Sequence, residues 1–213
     1  VVAVAHNSSP FITAYPWSAS GFGTKFTNPA TLPPSVGNSV AFSADAKNIA
    51  VGHNTSPYVS VYPWSSSGFG AKYTDPATLP SNSGNGVAWS AVGSPLSDTF
   101  LISANTTANP GLNASPFFGG FGTRYTGVST NTTFSVAASP DGKAVALGTT
   151  TGTLNAWAFS AAGFGTQYTN PATMPASGVR GVAFSPNGSY LAAAAQSTPY
   201  IYVYPWSTST GFG

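Results

Sequence analysis

The stretch Gly68-Phe69-Gly70-Ala71-Lys72-Tyr73-Thr74-Asp75-Pro76-Ala77-Thr78-Leu79-Pro80 decides how the rest of the chain is read. Its glycine-phenylalanine-glycine head recurs at Gly21, Gly120, Gly163 and Gly211, so successive copies begin 47, 52, 43 and 48 residues apart. A period of that size belongs to a solenoid, a propeller or an array, in which each copy buries its apolar face only against its neighbours.

Each copy carries four short strand signals. Asn38-Ser39-Val40-Ala41-Phe42-Ser43 alternates apolar and small residues, and Ala44-Asp45-Ala46-Lys47 forms a turn. Asn48-Ile49-Ala50-Val51-Gly52-His53 and Tyr58-Val59-Ser60-Val61-Tyr62-Pro63-Trp64 give the second and third strands, and residues 69–74 the fourth. Short strands about ten residues apart, separated by Gly, Pro, Asn and Ser, predict an all-β sandwich or propeller. No window holds a 3.6-residue apolar period long enough for a helix.

The units run over residues 1–27, 38–74, 85–126, 133–169 and 180–213, and together predict a single repeat domain. The first supplies only the last three strands (1–5, 11–17 and 22–27). The third has a lengthened first turn (91–98) and an irregular third strand at Ala114-Ser115-Pro116-Phe117-Phe118. A connector recurs as Asn28-Pro29-Ala30-Thr31-Leu32-Pro33, Asp75-Pro76-Ala77-Thr78-Leu79-Pro80 and Asn170-Pro171-Ala172-Thr173-Met174-Pro175. Its two prolines fix φ and remove donors, which predicts an ordered crossover with the Leu or Met as a buried peg. The chain opens in mid-strand and stops inside its own repeat. That reads as a piece of something longer, or as a permuted ring whose ends meet.

Composition limits the partners. Of 213 residues, 42% are apolar and 14% aromatic, enough for a packed core, but only 5% are charged, against about 25% in average domains. Ten charges with a net +2 make no basic patch for nucleic acid. No apolar run reaches the length of a spanning helix, so no membrane insertion is expected. Without cysteine there are no disulfides or thiolate metal sites.

The turns Ser139-Pro140-Asp141-Gly142-Lys143 and Ser185-Pro186-Asn187-Gly188-Ser189, after Val136-Ala137-Ala138 and Val182-Ala183-Phe184, resemble the Val-Ala-Phe-Ser-Pro-Asp-Gly-Lys hairpin of WD-repeat β-propellers. Trp17, Trp64, Trp157 and Trp206 match the tryptophan of that family's Trp-Asp pair. The resemblance covers every unit and implies four-stranded antiparallel blades round a channel. The aspartate of the pair is Ser18, Ser65, Ser207 or Ala158 here, and the family's Gly-His pair is absent, so its buried hydrogen-bond network does not transfer. The Tyr-Pro-Trp-Ser, Gly-Phe-Gly-Thr-Lys-Tyr and Asn-Pro-Ala-Thr-Leu-Pro strings are similar to propeller repeats of phage structural and appendage proteins, which implies a place in a virion.

Few residues offer chemistry. Asp45 and Asp141 share the hairpin position, where aspartate bonds its own backbone. Asp75 is Asn28 and Asn170 in other copies, so a turn role suffices, and Asp98 alone has no role explained by the repeat. His6 and His53 are equivalent, each beside an Asn, and read as loop residues, since no third metal ligand accompanies them. Lys25, Lys72, Arg124 and Gln167 share one position on the outermost strand, where charge blocks edge pairing. Phe22, Phe69, Phe121, Phe164, Tyr15, Tyr62 and Tyr204 read as packing between units rather than as a sugar-stacking set. Sequons stand at Asn7, Asn54, Asn105, Asn113, Asn131 and Asn187.

The expectation is therefore a non-enzymatic structural or adhesive β-propeller of a virion or extracellular assembly, with a glycan-binding propeller lectin as the alternative. It has no catalytic, cofactor or metal site. Its partners are other structural proteins of the assembly or a host-surface glycan or receptor. A hydrolase ranks last, because the inventory of carboxylates and histidines is so thin.

Overall fold

The structure is a computed structural model that describes residues 1–92, 98–106, 110–128 and 131–213. Every named element among the described residues is a strand. The opening segment gives β1 (Val2–Ala5) paired with β2 (Ile12–Tyr15), and β3 (Trp17–Ser18) paired with β4 (Gly21–Phe22). The second sheet is β5 (Gly37–Phe42), β6 (Asn48–His53), β7 (Val59–Ser65) and β8 (Gly68–Phe69). The third holds β9 (Gly84–Val92), β10 (Asp98–Asn105) and β11 (Leu112–Pro116). The fourth is β12 (Thr133–Ala138), β13 (Ala144–Thr149), β14 (Leu154–Ser160) and β15 (Gly163–Gln167). The fifth is β16 (Val179–Phe184), β17 (Tyr190–Ala195), β18 (Ile201–Ser207) and β19 (Gly211–Phe212). The protein is thus all-β with several four-stranded antiparallel sheets, each strand paired with its neighbours in sequence.

The Gly-Phe-Gly anchor has a local cause. Its first glycine turns the chain between third and fourth strands at positive φ, +95° at Gly21, +100° at Gly68, +99° at Gly163 and +85° at Gly211, a region costly for any residue with a Cβ. The second glycine lies flat on the proline of the third strand: a Cβ on Gly70 would stand 3.0 Å from Pro63 Cβ. The phenylalanine between them packs edge-on against the preceding tryptophan, as Phe69 does on Trp64 at 4.9 Å.

Three strand-level expectations change. The fourth strand is shorter than residues 69–74: β8 covers two residues, after which Gly70 N donates to Pro63 O (2.8 Å) and Tyr73 N to Val61 O (2.9 Å) in an irregular edge. Among the described residues only β15 keeps a longer ladder. In the third unit the third strand is β11, and the fourth reduces to a bridge between Phe117 and Phe121. The lengthened turn falls largely on residues 93–97, outside the described residues. The connector pegs are also different residues, save one. Pro29, Pro33, Pro76, Pro80, Pro171 and Pro175 are buried while Leu32 and Leu79 are exposed; Met174 is half-buried and packs on the core of the fifth sheet. Proline brings no N–H that burial would leave unpaired, so it can go inward where the backbone has no partner.

The core lies between successive sheets. Ile12 of β2 packs on Ile49, Val51 and Tyr62 of the second sheet. Val59 and Val61 of β7 pack on Leu101 and Phe117 of the third unit. Leu154 and Ala156 of β14 pack on Leu191, Ala193 and Tyr204 of the fifth sheet. Tyr62 and Tyr204 are buried between sheets, and their hydroxyls donate to the connector carbonyls of Thr31 (2.9 Å) and Thr173 (2.8 Å). The packing expectation holds for these rings and for Phe69, Phe121 and Phe164; Phe22 is exposed. First strands of adjacent sheets lie side by side. Val87 N donates to Ser39 Oγ at 3.1 Å and Val182 N to Ser135 Oγ at 3.0 Å.

Candidate functional site

Each first strand carries one extra residue near its start. The register slips between Gly37 and Ser39 in β5, between Thr133 and Ser135 in β12, and between Val179 and Gly181 in β16. In β9 Gly84 and Gly86 pair with Asn105 and Ala104, leaving Asn85 between them unpaired. A bulge turns its extra side chain out of the ladder and re-aims it. The four residues so released are Asn38, Asn85, Phe134 and Arg180, and together with Ala5, Asn7 and Gly37 they line one cavity of about 410 Å³.

The cavity is polar and carries one cation. The Arg180 guanidinium lies over the Phe134 ring, 3.6 Å from its centroid, a cation–π contact that holds it in place. Turned so that its oxygen rather than its nitrogen faces the guanidinium, the Gln196 amide accepts from Arg180 Nη2 at 2.9 Å and Nε at 3.3 Å. Among the described residues the ion pair is Lys72 with Asp75, so Arg180 faces the cavity without a carboxylate partner. Asn38 Nδ2 is committed to Asn54 Oδ1 (2.6 Å) and Gly84 O (3.2 Å), and Asn85 Nδ2 donates to Thr133 O (2.8 Å). Both hydrogens of the Asn38 amide are thus spent and its oxygen is left to accept, while Asn85 keeps one hydrogen and its oxygen.

The residues singled out from sequence do not gather here. Asp45 and Asp141 fill the hairpin role expected of them: each Oδ1 accepts from the serine two residues earlier (2.6 Å) and the lysine N–H two residues later (3.1 Å). Burial alone would raise these carboxyls, but the serine and backbone hydrogen bonds outweigh it and hold both below the usual carboxylate range. Asn187 makes the same two bonds at 2.7 and 3.1 Å without charge. Replacing Asp141 by asparagine should therefore leave stability within about 0.5 kcal/mol, whereas alanine should cost about 1 kcal/mol in a urea titration. Equal losses for both would contradict this role.

Asp75 pairs with Lys72, and Lys25 Nζ and Gln167 Nε2 reach Asn28 and Asn170 at 3.1 and 3.4 Å, so this column ties the fourth strand to its connector. Arg124 Nη1 donates instead to Leu79 O at 3.1 Å. The side chain of Asp98 lies outside the described residues. His53 is no loop residue: it ends β6, fully buried, with Nδ1–H donating to Thr55 O (2.8 Å) and Nε2 accepting from Ser60 Oγ (3.0 Å). Burial pushes its pKa down to about 4. Two of the sequons, Asn105 and Asn113, are buried.

No protein-family model matches the chain, and no curated protein does. Among solved structures it is similar to a Bacteroides uniformis ATCC 8492 protein provisionally named a 6-phosphogluconolactonase, with a TM-score of 0.66 and 15% identity over 99% of this chain. The chain spans 65% of the length of that structure. At this identity the likeness shows the fold. It also corrects the functional expectation. The expectation of a non-enzymatic virion module, drawn from the repeat strings and the thin inventory of carboxylates and histidines, and its propeller-lectin alternative fail because a solved structure sharing the fold bears the name of a small-molecule enzyme. The virion or extracellular location rested on the same inference and falls with it. A thin inventory of carboxylates does not exclude an enzyme whose site is built from amides and an arginine.

Proposed function

We propose that the sheets are blades of a β-propeller and that the cavity on their innermost strands binds a small phosphorylated sugar acid or its lactone, which the protein opens by hydrolysis. The observation that carries this reading is the set of four equivalent bulges that aim Asn38, Asn85, Phe134 and Arg180 into one space. The chemistry offered is a fixed cation for an anionic end, and amide oxygens for hydroxyl groups. The name of the similar solved structure supplies the substrate class. Water adds to the lactone carbonyl carbon, the ring C–O bond breaks, and the proton from water passes to the released alkoxide. Arg180 anchors the phosphate, and the spare Asn85 hydrogen meets the carbonyl oxygen as charge builds on it, the kind of fixed donor that lowers such barriers.

Titration calorimetry with 6-phosphogluconate and with gluconate tests the binding half. The phosphorylated acid should bind more tightly, and Arg180→Ala should weaken it at least tenfold while lowering the thermal midpoint of the free protein by only a few degrees, because the side chain is exposed and its contact with Phe134 is worth about 1 kcal/mol or less. Equal binding of both acids, or an unchanged affinity in the variant, would sink the assignment of Arg180.

A further inference from the structure

One position on the third strand carries a large aromatic ring in four of the five units. Tyr15 stands opposite Val2, Tyr62 opposite Ile49, Trp157 opposite Val145 and Tyr204 opposite Leu191. In the third sheet the residue so placed, opposite Leu101, is Ser115. Where the ring is a tyrosine it meets the anchor phenylalanine edge-on: Tyr15 on Phe22 and Tyr62 on Phe69 at 5.8 Å, Tyr204 on Phe212 at 5.6 Å. The hydroxyls of Tyr62 and Tyr204 then donate to the preceding connector, at Thr31 O and Thr173 O.

The third sheet keeps the surroundings of that ring without the ring. A thin cavity lies between Val59, Leu101 and Phe121, and Thr78, the connector residue equivalent to Thr31 and Thr173, lines it too. The centre of a water molecule can move over about 10 Å³ of it. A gap one aromatic ring thick leaves water that little freedom, because a water molecule is nearly as thick as the ring. Ser103, Asn113 and Ser115 add a polar wall. Asn113 is 2% exposed, and neither atom of its amide has a hydrogen-bond partner among the described residues. An amide so buried and unpaired is costly. Arg124 also lines the cavity, and it departs from its column. Lys25, Lys72 and Gln167 turn to the connector that follows them, whereas Arg124 reaches the preceding one and donates to Leu79 O, next to Thr78.

We infer that this cavity binds a small single-ring phenol with a polar group para to its hydroxyl. The ring takes the place of the tyrosine ring, against Val59 and Phe121. Its hydroxyl serves both neighbours at the connector end. It donates to Thr78 O, as Tyr62 donates to Thr31 O, and it accepts from the Arg124 guanidinium. The para group meets the Asn113 amide, which can both donate and accept. This cavity shares no residue with the one on the first strands, and the inference does not depend on the lactone reading.

Titration calorimetry with 4-hydroxybenzyl alcohol and with benzyl alcohol tests this, since the two differ only in the phenolic hydroxyl. One equivalent of the phenol should bind at millimolar concentration or below. Its affinity should exceed that of benzyl alcohol by about tenfold or more, the gain expected from hydrogen bonds to a carbonyl and a guanidinium. Ser115→Tyr supplies the ring covalently, so it should abolish the binding and raise the thermal midpoint of the free protein. Arg180→Ala, altered in the other cavity, should bind the phenol as the wild type does. No saturable binding to the wild type overturns the inference, as do equal affinities for the two alcohols or binding that survives Ser115→Tyr. A Ser115→Tyr protein less stable than wild type overturns it too, because the space is then not shaped for the ring. So does loss of binding in Arg180→Ala, which would place the phenol in the other cavity.

Discussion

Replacing Gly84 by valine should destabilise the protein by about 3 kcal/mol or more, the upper range for forcing volume into a packed interior. Gly84 opens β9 where the second and third sheets touch backbone to backbone. A Cβ there would run into the carbonyl oxygen of Tyr58 and lie 3.2 Å from Gly52 Cα and 3.4 Å from His53 N. The reverse holds too: a Cβ on Gly52 would stand 2.6 Å from Gly84 O. None of these atoms belongs to a side chain that can swing aside, so the two sheets must part. The Gly84 carbonyl also accepts from Asn38 Nδ2, so the cavity wall moves with it. Gly120→Ala is the control, because its Cβ would meet nothing within 4 Å. It should stay within about 1 kcal/mol of wild type in urea. Similar losses for the two variants would mean that close sheet contact is not what Gly84 provides.

Acid should weaken the fold before the carboxylates titrate, and His53 is the cause. Its folded pKa is about 4, against 6.5 when unfolded. Between these values the unfolded chain takes up a proton that the folded state refuses, so stability falls as pH drops through 6.5 and levels off below about 4. At 1.36 kcal/mol for each pH unit the loss amounts to about 3 kcal/mol. The folded site explains the refusal. The neutral ring needs a proton on Nδ1 for Thr55 O and a lone pair on Nε2 for Ser60 Oγ, and a second proton would destroy the latter bond. Thr149, at the equivalent position in the fourth sheet, is also buried and bonds Thr151 Oγ1 and Thr153 N at 3.1 and 3.0 Å. His53→Thr is therefore a suitable comparison. Between pH 7 and pH 4 the wild type should lose about 3 kcal/mol more than the variant in chemical denaturation. Parallel curves would contradict the buried neutral histidine. Asp45 and Asp141, held below their usual range, stabilise at higher pH and lose that contribution only as pH falls through the more acidic carboxylate window.

The repeat was legible because its cause is local. Positive φ at Gly21, Gly68, Gly163 and Gly211 and the contact of Gly23, Gly70, Gly122 and Gly213 with a third-strand proline demand those residue types in most copies, and the apolar strand positions show directly in Val40, Ile49 and Val59. The hairpin aspartates were legible for the same reason, since their partners lie two residues away. What escaped depends on distance in sequence. His53 looks like a loop residue because Ser60 and the packing of the next sheet, which bury it, are seven and more residues on. The cavity escaped for a sharper reason. A bulge shifts the alternation by one residue, but here only one strand residue precedes it (Gly37, Thr133 or Val179), too few for the slip to show in the pattern. A signal existed nevertheless. Along nearly identical copies, the column Asn38, Asn85, Phe134, Arg180 changes its chemistry, while the valine two residues later recurs as Val40, Val87, Val136 and Val182. A column that varies between constant neighbours, on strands expected to sit innermost, points to a shared space with differentiated walls.

Five per cent charged residues describes the whole chain and says nothing of a single cavity; the proposed anion site rests on one arginine among amides.

The most direct test of the central claim is the rate of 6-phosphogluconolactone opening at neutral pH, followed by proton release and corrected for the spontaneous reaction. The account predicts a rate proportional to protein concentration, falling at least tenfold in Arg180→Ala while the Asp141→Asn protein, altered far from the cavity, matches wild type. No acceleration by the folded wild-type protein, or acceleration that survives the loss of Arg180, would contradict it.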